Sequence, residues 1–314
     1  MKFQFIKYTK LWFAISILTI LVGIGGMFYN KFYSESGRIL EVGIDFTGGS
    51  SMELQFNKEV DPNALKEAIN AVYPNSVSQM TVTGENTYIV QAKDMTEEQL
   101  SDVKSGITQK IGEFEMLSFT TIGPKIGSTL KQKAIIALSV AIVAIVLYIA
   151  YAFRRVPKRV SPWKFGFCAI IALVHDVLIT LGIFAILGFE VNAFFITALL
   201  TIIGFSVHDT IVVFDRIREN LKQQTRNDTF GDIADISLNQ TLSRSINTSL
   251  STLFPLLALY IWGAPSVKIF VFALIIGIFV GTYSSIFIAS PLLTIWQERG
   301  RREGEGRDQG PEDR

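Results

Sequence analysis

The chain has 314 residues, 49% of them hydrophobic and 18% charged, with a net charge of +1, and its mean hydropathy is +0.36. Soluble proteins carry about 25% charged residues, so a purely soluble chain is excluded, and a near-neutral balance gives none of the basic field a nucleic-acid partner needs. The single cysteine, Cys168, rules out an intrachain disulfide framework and a cysteine-built metal site.

The first apolar run, about Leu11–Tyr29, is long enough to span a bilayer. It exceeds the apolar core of a cleaved signal, and no A-x-A-like site follows, so residues 1–29 read as a short terminus and a retained transmembrane helix. Residues 30–133 are polar enough for a water-soluble domain. SSMELQF alternates like a strand, and DPNALKEAINAVY reads as a helix capped by Asp61 with Pro62 in its first turn. VSQMTVTGENTYIVQAK reads as two strands around a Gly-Glu-Asn turn, DMTEEQLSDVKSGITQKI as a second helix and EFEMLSFTTI as a last strand. This β-α-β-β-α-β order is that of a ferredoxin-like unit. The domain has no His and no Cys, so contact rather than catalysis is its expected task. At its entrance, IDFTGGS offers Gly48 and Gly49 for a tight turn, with Asp45 placed to cap it. At its exit, Gly123, Pro124 and Gly127 of GPKIG form a candidate hinge.

Five more apolar stretches follow, about Ala134–Phe153, Phe165–Leu187, Val191–Phe214, Arg244–Trp262 and Val267–Trp296. The expected fold class is an α-helical polytopic membrane protein with six transmembrane helices and one extracytoplasmic α+β (ferredoxin-like) domain. Residues 134–296 carry helices two to six, and the charged tail 297–314 reads as solvated and disordered. Basic residues crowd alternate short segments: Lys2, Lys7 and Lys10; Arg154, Arg155, Lys158, Arg159 and Lys164; Arg216, Arg218, Lys222, Arg226 and Arg244; Arg299, Arg301 and Arg302. The opposite turns offer only Lys268, which puts both termini in the cytoplasm and residues 30–133 outside.

An ionisable side chain at the centre of a span costs about 2.5–3.5 kcal/mol on insertion scales, so the exceptions carry information. His175 and Asp176 lie in VHDVLITLG, roughly 18 Å along the third span from Lys164. His208 and Asp209 lie in GFSVHDTIVVFDRIREN, roughly 9 Å before Asp215. The two spans join by a short turn, so the two His-Asp pairs sit on antiparallel neighbours. Arg244 opens the fifth span in NQTLSRSINTS, and its long side chain has the reach to pair with Asp209. Pairing holds a carboxylate ionised and separation lets it take a proton, which is what a proton relay needs. Blander roles remain open: Asp176 as an ordering hydrogen-bond partner, Arg244 as an interfacial snorkelling residue, His175 and His208 as hydrogen-bonding groups. A metal site of two His and two Asp is disfavoured. In the sixth span Ala273, Gly277, Gly281, Ser285 and Ala289 form a small-residue stripe for close helix approach, within the chain or with a partner. Pro255 and Pro291 should bend their helices.

Taken together, IDFTGGS, TIGPKIG, VHDVLITLG, GFSVHDTIVVFDRIREN and NQTLSRSINTS resemble the SecF family of protein-export membrane proteins, within the resistance-nodulation-division superfamily. The resemblance covers Met1–Trp296, and the long fourth-span string is its most specific part. It implies a subunit of the bacterial cytoplasmic (inner) membrane that works with SecD. Together they assist passage of an unfolded preprotein through the SecYEG channel from the outer side. Protons would be the coupling ion, with no other cofactor. Family charges implicated in proton coupling fall on Asp209 and Arg244, and Asp176 matches a family position as well. Two rivals stand beside this reading: a proton-coupled transporter of small molecules or lipids, and a passive assembly factor. An enzyme is not expected, since there is no phosphate-binding glycine loop and no nucleophile–base motif.

Overall fold

The computed structural model describes residues 3–33, 37–84, 86–154, 161–223 and 228–308. Lys2, Glu85, Arg155, Lys158, Arg159, Arg226, the tail from residue 309 and the side chains of Arg301 and Arg302 lie outside the described residues.

A turn of 3-10 helix at Ile6–Tyr8 leads into α1, Thr9–Tyr33. After it, a four-residue helix α2, Ile44–Thr47, precedes the α+β unit. That unit runs β1 Gly49–Phe56, α3 Pro62–Val72, β2 Val77–Gly84, β3 Thr87–Ala92, α4 Glu97–Lys110 and β4 Phe114–Ile122. The sheet order is β2-β3-β1-β4 with every neighbouring pair antiparallel, the arrangement the strand and helix order predicts. Local sequence sets both helix starts. The Asp61 carboxylate accepts from the Asn63 amide at 3.1 Å with Pro62 in the first turn, and Thr96 with Gln99 forms a reciprocal capping box. One sheet face, with Met52, Leu54 and Val90, packs on Leu65 and Ile69 of α3 and Val103 and Ile107 of α4. Each such burial contributes about 1.5–3 kcal/mol. The alternate residues Glu53, Ile89, Gln91, Gln79 and Thr81 occupy the opposite face by the period of two. Gln79 Nε2 donates to the Gly188 carbonyl at 3.4 Å, so this face sits on the helix bundle.

The bundle comprises α5 Pro124–Ala152, α6 Pro162–Leu187, α7 Ala193–Lys222, α8 Phe230–Trp262 and α9 Pro265–Ser284. A π-helical turn at Ser285–Ala289 follows α9, and α10 Ser290–Asp308 completes the bundle. Among the described residues, five helical stretches are long and apolar enough to cross a membrane. They are Ile6–Tyr33, Pro124–Ala152, Pro162–Leu187, Ala193–Lys222 and Pro265–Arg299. The expected fifth span is not among them, because α8 is lined with Ser, Thr, Asn, Asp and Arg. It also begins at Phe230 rather than Arg244, with Thr229 and Asp232 as a capping box. Its early turns bury Phe230, Ile233, Ala234 and Leu238 in the bundle core. They also hold the N-terminal segment: Ile6 N donates to Asp235 Oδ1 at 3.0 Å and Phe3 N to Asn239 Oδ1 at 2.9 Å. The tail differs from expectation too, being helical as far as Asp308.

Close backbone approach orders the helices. A Cβ on Gly23 of α1 would lie 2.9 Å from the Gly182 Cα of α6, so these two glycines let the helices touch. At one end of the bundle, Lys164 Nζ donates to the Trp296 carbonyl at 3.3 Å and Arg218 Nη1 to the Ala152 carbonyl at 3.2 Å. The described basic segments therefore gather there, opposite the sheet.

Candidate functional site

The small-residue stripe of the last apolar stretch faces α7 of the same chain. A Cβ on Gly277 would run into the Ile202 side chain, and one on Gly281 would lie 3.0 Å from Ser206 Cβ. Ala273 and Ala289 are fully buried. This tight contact lets the last residue of α9 and the first of the π-turn present two consecutive serines to two different helices. Ser284 Oγ donates to Asp176 Oδ2 of α6 at 2.9 Å, and Ser285 Oγ donates to Asp209 Oδ2 of α7. Ser206, one turn before Asp209, donates to the same Asp176 Oδ2 at 2.6 Å, and Ser245 of α8 donates to Asp209 Oδ1 at 2.6 Å. Asp176 and Asp209 are both buried, 1% and 6% exposed. Buried carboxyls need such donors, because an unmet oxygen there carries its full desolvation cost. The π-turn starts at Ser285, and Ser290 Oγ donates back to the Ser285 carbonyl at 3.0 Å. Such turns are frequent at functional sites. Pro291 follows directly, with no amide hydrogen to give.

The expected ion pair between Asp209 and Arg244 is not formed. Successive helix residues are about 100° apart, so with Ser245 turned inward to Asp209, Arg244 lies on the exposed flank of α8. The two histidines differ. His175 is buried, with Nδ1 at 2.9 Å from Asp176 Oδ1, and its ring stacks on Tyr283 at 6.1 Å. His208 is exposed on α7. Among the described residues no three His, Cys, Asp or Glu side chains come together as a metal-binding group. Sequence reasoning found both carboxyls but missed Ser206, Ser245 and Ser284. Ser206, one turn before Asp209 on α7, is the one of the three with a local signal; Ser245 and Ser284 lie on other helices, where sequence spacing gives none.

The two glycine motifs form one joint. Gly48 and Gly49 have φ of +75° and +127°, a region that favours glycine. A Cβ on Gly48 would lie 2.8 Å from Pro124 Cα, and one on Gly127 would lie 2.9 Å from the Gly48 amide nitrogen. Gly123 is the residue before α5, with Pro124 in its first turn. GPKIG is therefore a packed joint rather than a free linker. Asp45 does not cap its own turn; its Oδ2 accepts from the Ala193 amide at 2.8 Å, at the start of α7. Beside it, the segment before α2 pairs with the α6–α7 turn, Gly43 N donating to the Val191 carbonyl at 3.1 Å and Val191 N to the Glu41 carbonyl at 2.8 Å. Within that turn Glu190 is 9% exposed and accepts from Gln91 Nε2 of β3. Burial first, then the nearby Glu41 and Asp45 carboxylates, push its carboxyl up to about 7. Burial also raises Glu53 on the same sheet face.

Comparison with known proteins gives a consistent result. The family described as "Protein export membrane protein SecD/SecF, C-terminal" matches residues 102–299, and the "SecD/SecF GG Motif" matches residues 43–60. A protein named "Protein translocase subunit SecF" from Thermobaculum terrenum is 42% identical over 303 residues, covering 91% of this chain and 92% of that protein. One of the same name from Anaerolinea thermophila is 40% identical, covering 91% and 92%. Among solved structures, SecDF from Thermus thermophilus, titled a translocon-associated membrane protein, is 33% identical with a TM-score of 0.83. It covers 95% of this chain, which spans only 39% of that longer one. With a family match over most of its helices and relatives alike along nearly their whole length, this chain belongs to the SecD/SecF family of protein-export membrane proteins, among the translocase subunits named SecF.

Proposed function

We propose that the chain is the SecF half of a SecD–SecF assembly in the bacterial inner membrane, which uses the proton-motive force to promote preprotein passage through the SecYEG channel. In this reading six helices span the bilayer, with α8 as the polar fifth span. Both termini are cytoplasmic, and residues 30–133 lie outside. Support for the partnership comes from the alignment with part of a longer SecDF chain. Support for the orientation comes from the basic ends collected at the pole opposite the sheet.

The observation that carries the proton reading is the pair of buried carboxyls, Asp176 and Asp209, met by hydroxyl groups on three sides. Among the described residues neither forms an ion pair with Lys or Arg. A proton gained or lost there changes the charge inside the bundle and rearranges the serine donors. Once Asp209 is protonated, one of its oxygens becomes a donor, and Ser245 and Ser285 no longer both face anionic acceptors. α8 and α9 then repack against α7. Arg244 enters the cycle in a second conformation, reached when α8 turns by about 100° to exchange it for Ser245.

One charge crossing 100–200 mV releases about 2.3–4.6 kcal/mol, and driving a two-state element from 1:99 to 99:1 takes about 5.5 kcal/mol. One proton therefore biases the cycle strongly, and two, releasing about 4.6–9.2 kcal/mol over the same range, complete it except at the low end. The test is export into vesicles reconstituted with the partner subunits, with and without an imposed potential. Asp209→Asn is expected to lose the potential-dependent part of export. Undiminished stimulation in that variant would leave the passive assembly reading in its place.

A further inference from the structure

Glu190 sits where three parts of the chain meet: the segment before α2, the polar face of the sheet and the α6–α7 turn. It borders a cavity of about 50 Å³ shared with Thr81 and Ile89 of the sheet and Ile269 and Phe270 of α9. One carboxyl oxygen accepts from Gln91 of β3. The other, Oε1, is buried and has no hydrogen-bond partner. From the segment before β1 come the carboxylates of Glu41 and Asp45, with Arg38 in the same segment. On the same sheet face Glu53 lies opposite Ile89 in the cross-strand register, outside the cavity lining. From α9 the cavity receives Pro265, Ser266, Ile269 and Phe270, and Lys268 is not part of its lining.

From this arrangement we infer that Glu190 is a proton-binding site that latches the sheet domain onto the helix bundle. With its carboxyl protonated, Glu190 sits beside Glu41 and Asp45 without adding like charge, and its second oxygen has a proton to donate into the cavity. Once ionised, it places another negative charge against neighbouring carboxylates with one oxygen unmet. That state is relieved by lifting the sheet away and admitting water.

The sign follows from linkage. Docked, the carboxyl is pushed up to about 7; lifted into water, it returns to the ordinary glutamate range near 4.3. The docked state binds the proton more tightly, so docking is strongest below the ordinary range and weakens as pH rises through about 7. Above that it is constant. The expected change in the docked-to-lifted ratio between pH 5 and 8 is at least about tenfold.

The experiment measures spin-label distances in the full chain in lipid nanodiscs. Labels replace exposed Ser101 of α4 and exposed Trp262 at the end of α8, in a Cys168→Ala background. Wild-type protein is expected to show one short distance at pH 5 and a growing longer population towards pH 8. Glu190→Gln, which keeps the shape and removes the charge, is expected to hold the short distance throughout. A protonated-carboxyl infrared band that titrates near neutrality in wild type and is missing from Glu190→Gln gives a second readout. The inference is overturned if the wild-type distances do not move with pH, or if Glu190→Gln moves as wild type does. Asp209→Asn is expected to keep the full pH response, which separates this latch from the proton reading above; loss of the response there would also overturn it.

Discussion

At Asp209 and Asp176, four serine hydroxyls stand in for the cation that a buried carboxylate usually recruits. Ser245 and Ser285 serve one carboxyl, and Ser206 and Ser284 the other. A hydrogen bond to a charged group contributes about 1.5–3 kcal/mol. Ser245→Ala and Ser285→Ala should each weaken Asp209's setting by that order. Potential-dependent export is expected to fall while the helical content, read by circular dichroism, stays unchanged. Arg244→Ala tests the second conformation: reduced coupling with an intact fold supports the exchange with Ser245, and wild-type coupling removes Arg244 from the cycle. These residues also mark how far sequence reading reached. The carboxyls were legible because a lone Asp in an apolar run is costly. The serines were not, because a hydroxyl in a membrane helix can satisfy itself on its own backbone. Thr282 does so, donating to the Ile278 carbonyl at 2.8 Å. Arg244 misled for a related reason: reach along a helix says nothing of which flank faces inward.

At the scale of elements, the α+β unit was readable almost throughout. Strand alternation, the Asp61 and Thr96 caps and the Pro62 start are all local signals, and local signals decide small soluble units. The front half of α8 was not readable. Its apolar residues Ile233, Ala234 and Leu238 follow a helical spacing, but the intervening Asp, Asn and Gln made it look like a cytoplasmic loop. Helix packing depends on the glycines. Gly277→Leu would drive its side chain into Ile202, and such overpacking costs about 1–3 kcal/mol. The α7–α9 contact should loosen, detected as a lower thermal midpoint in detergent. Thr229→Ala should cost α8 about 1 kcal/mol through its lost cap, a smaller shift in the same measurement.

For the molecule as a whole, basic segments at one pole and the sheet at the other define a polarity with a direct check. A cysteine replacing exposed Ser101, in a Cys168→Ala background, is expected to react with a membrane-impermeant thiol reagent added to intact spheroplasts. A cysteine replacing Arg299 should react only after permeabilisation. The reverse pattern would turn the chain over in the membrane. Outward faces of α1 and α5 are almost entirely apolar, with Leu18, Leu21, Val140 and Leu147 exposed. Their order therefore depends on lipid or on neighbouring helices of a partner.

α7 runs unbroken for 30 residues, from Ala193 to Lys222. Its first amide is gripped by Asp45, immediately before the sheet, and Asp209 lies roughly 24 Å further along the same rod. A straight helix does not stretch or compress appreciably, so it works as a connecting rod. A tilt of a few degrees pivoting at the serine-ringed carboxyl swings the far tip by an ångström or more, and Asp45 is fastened to that tip. Force need not travel through the covalent links at α1 and α5; it has a shorter route up the middle.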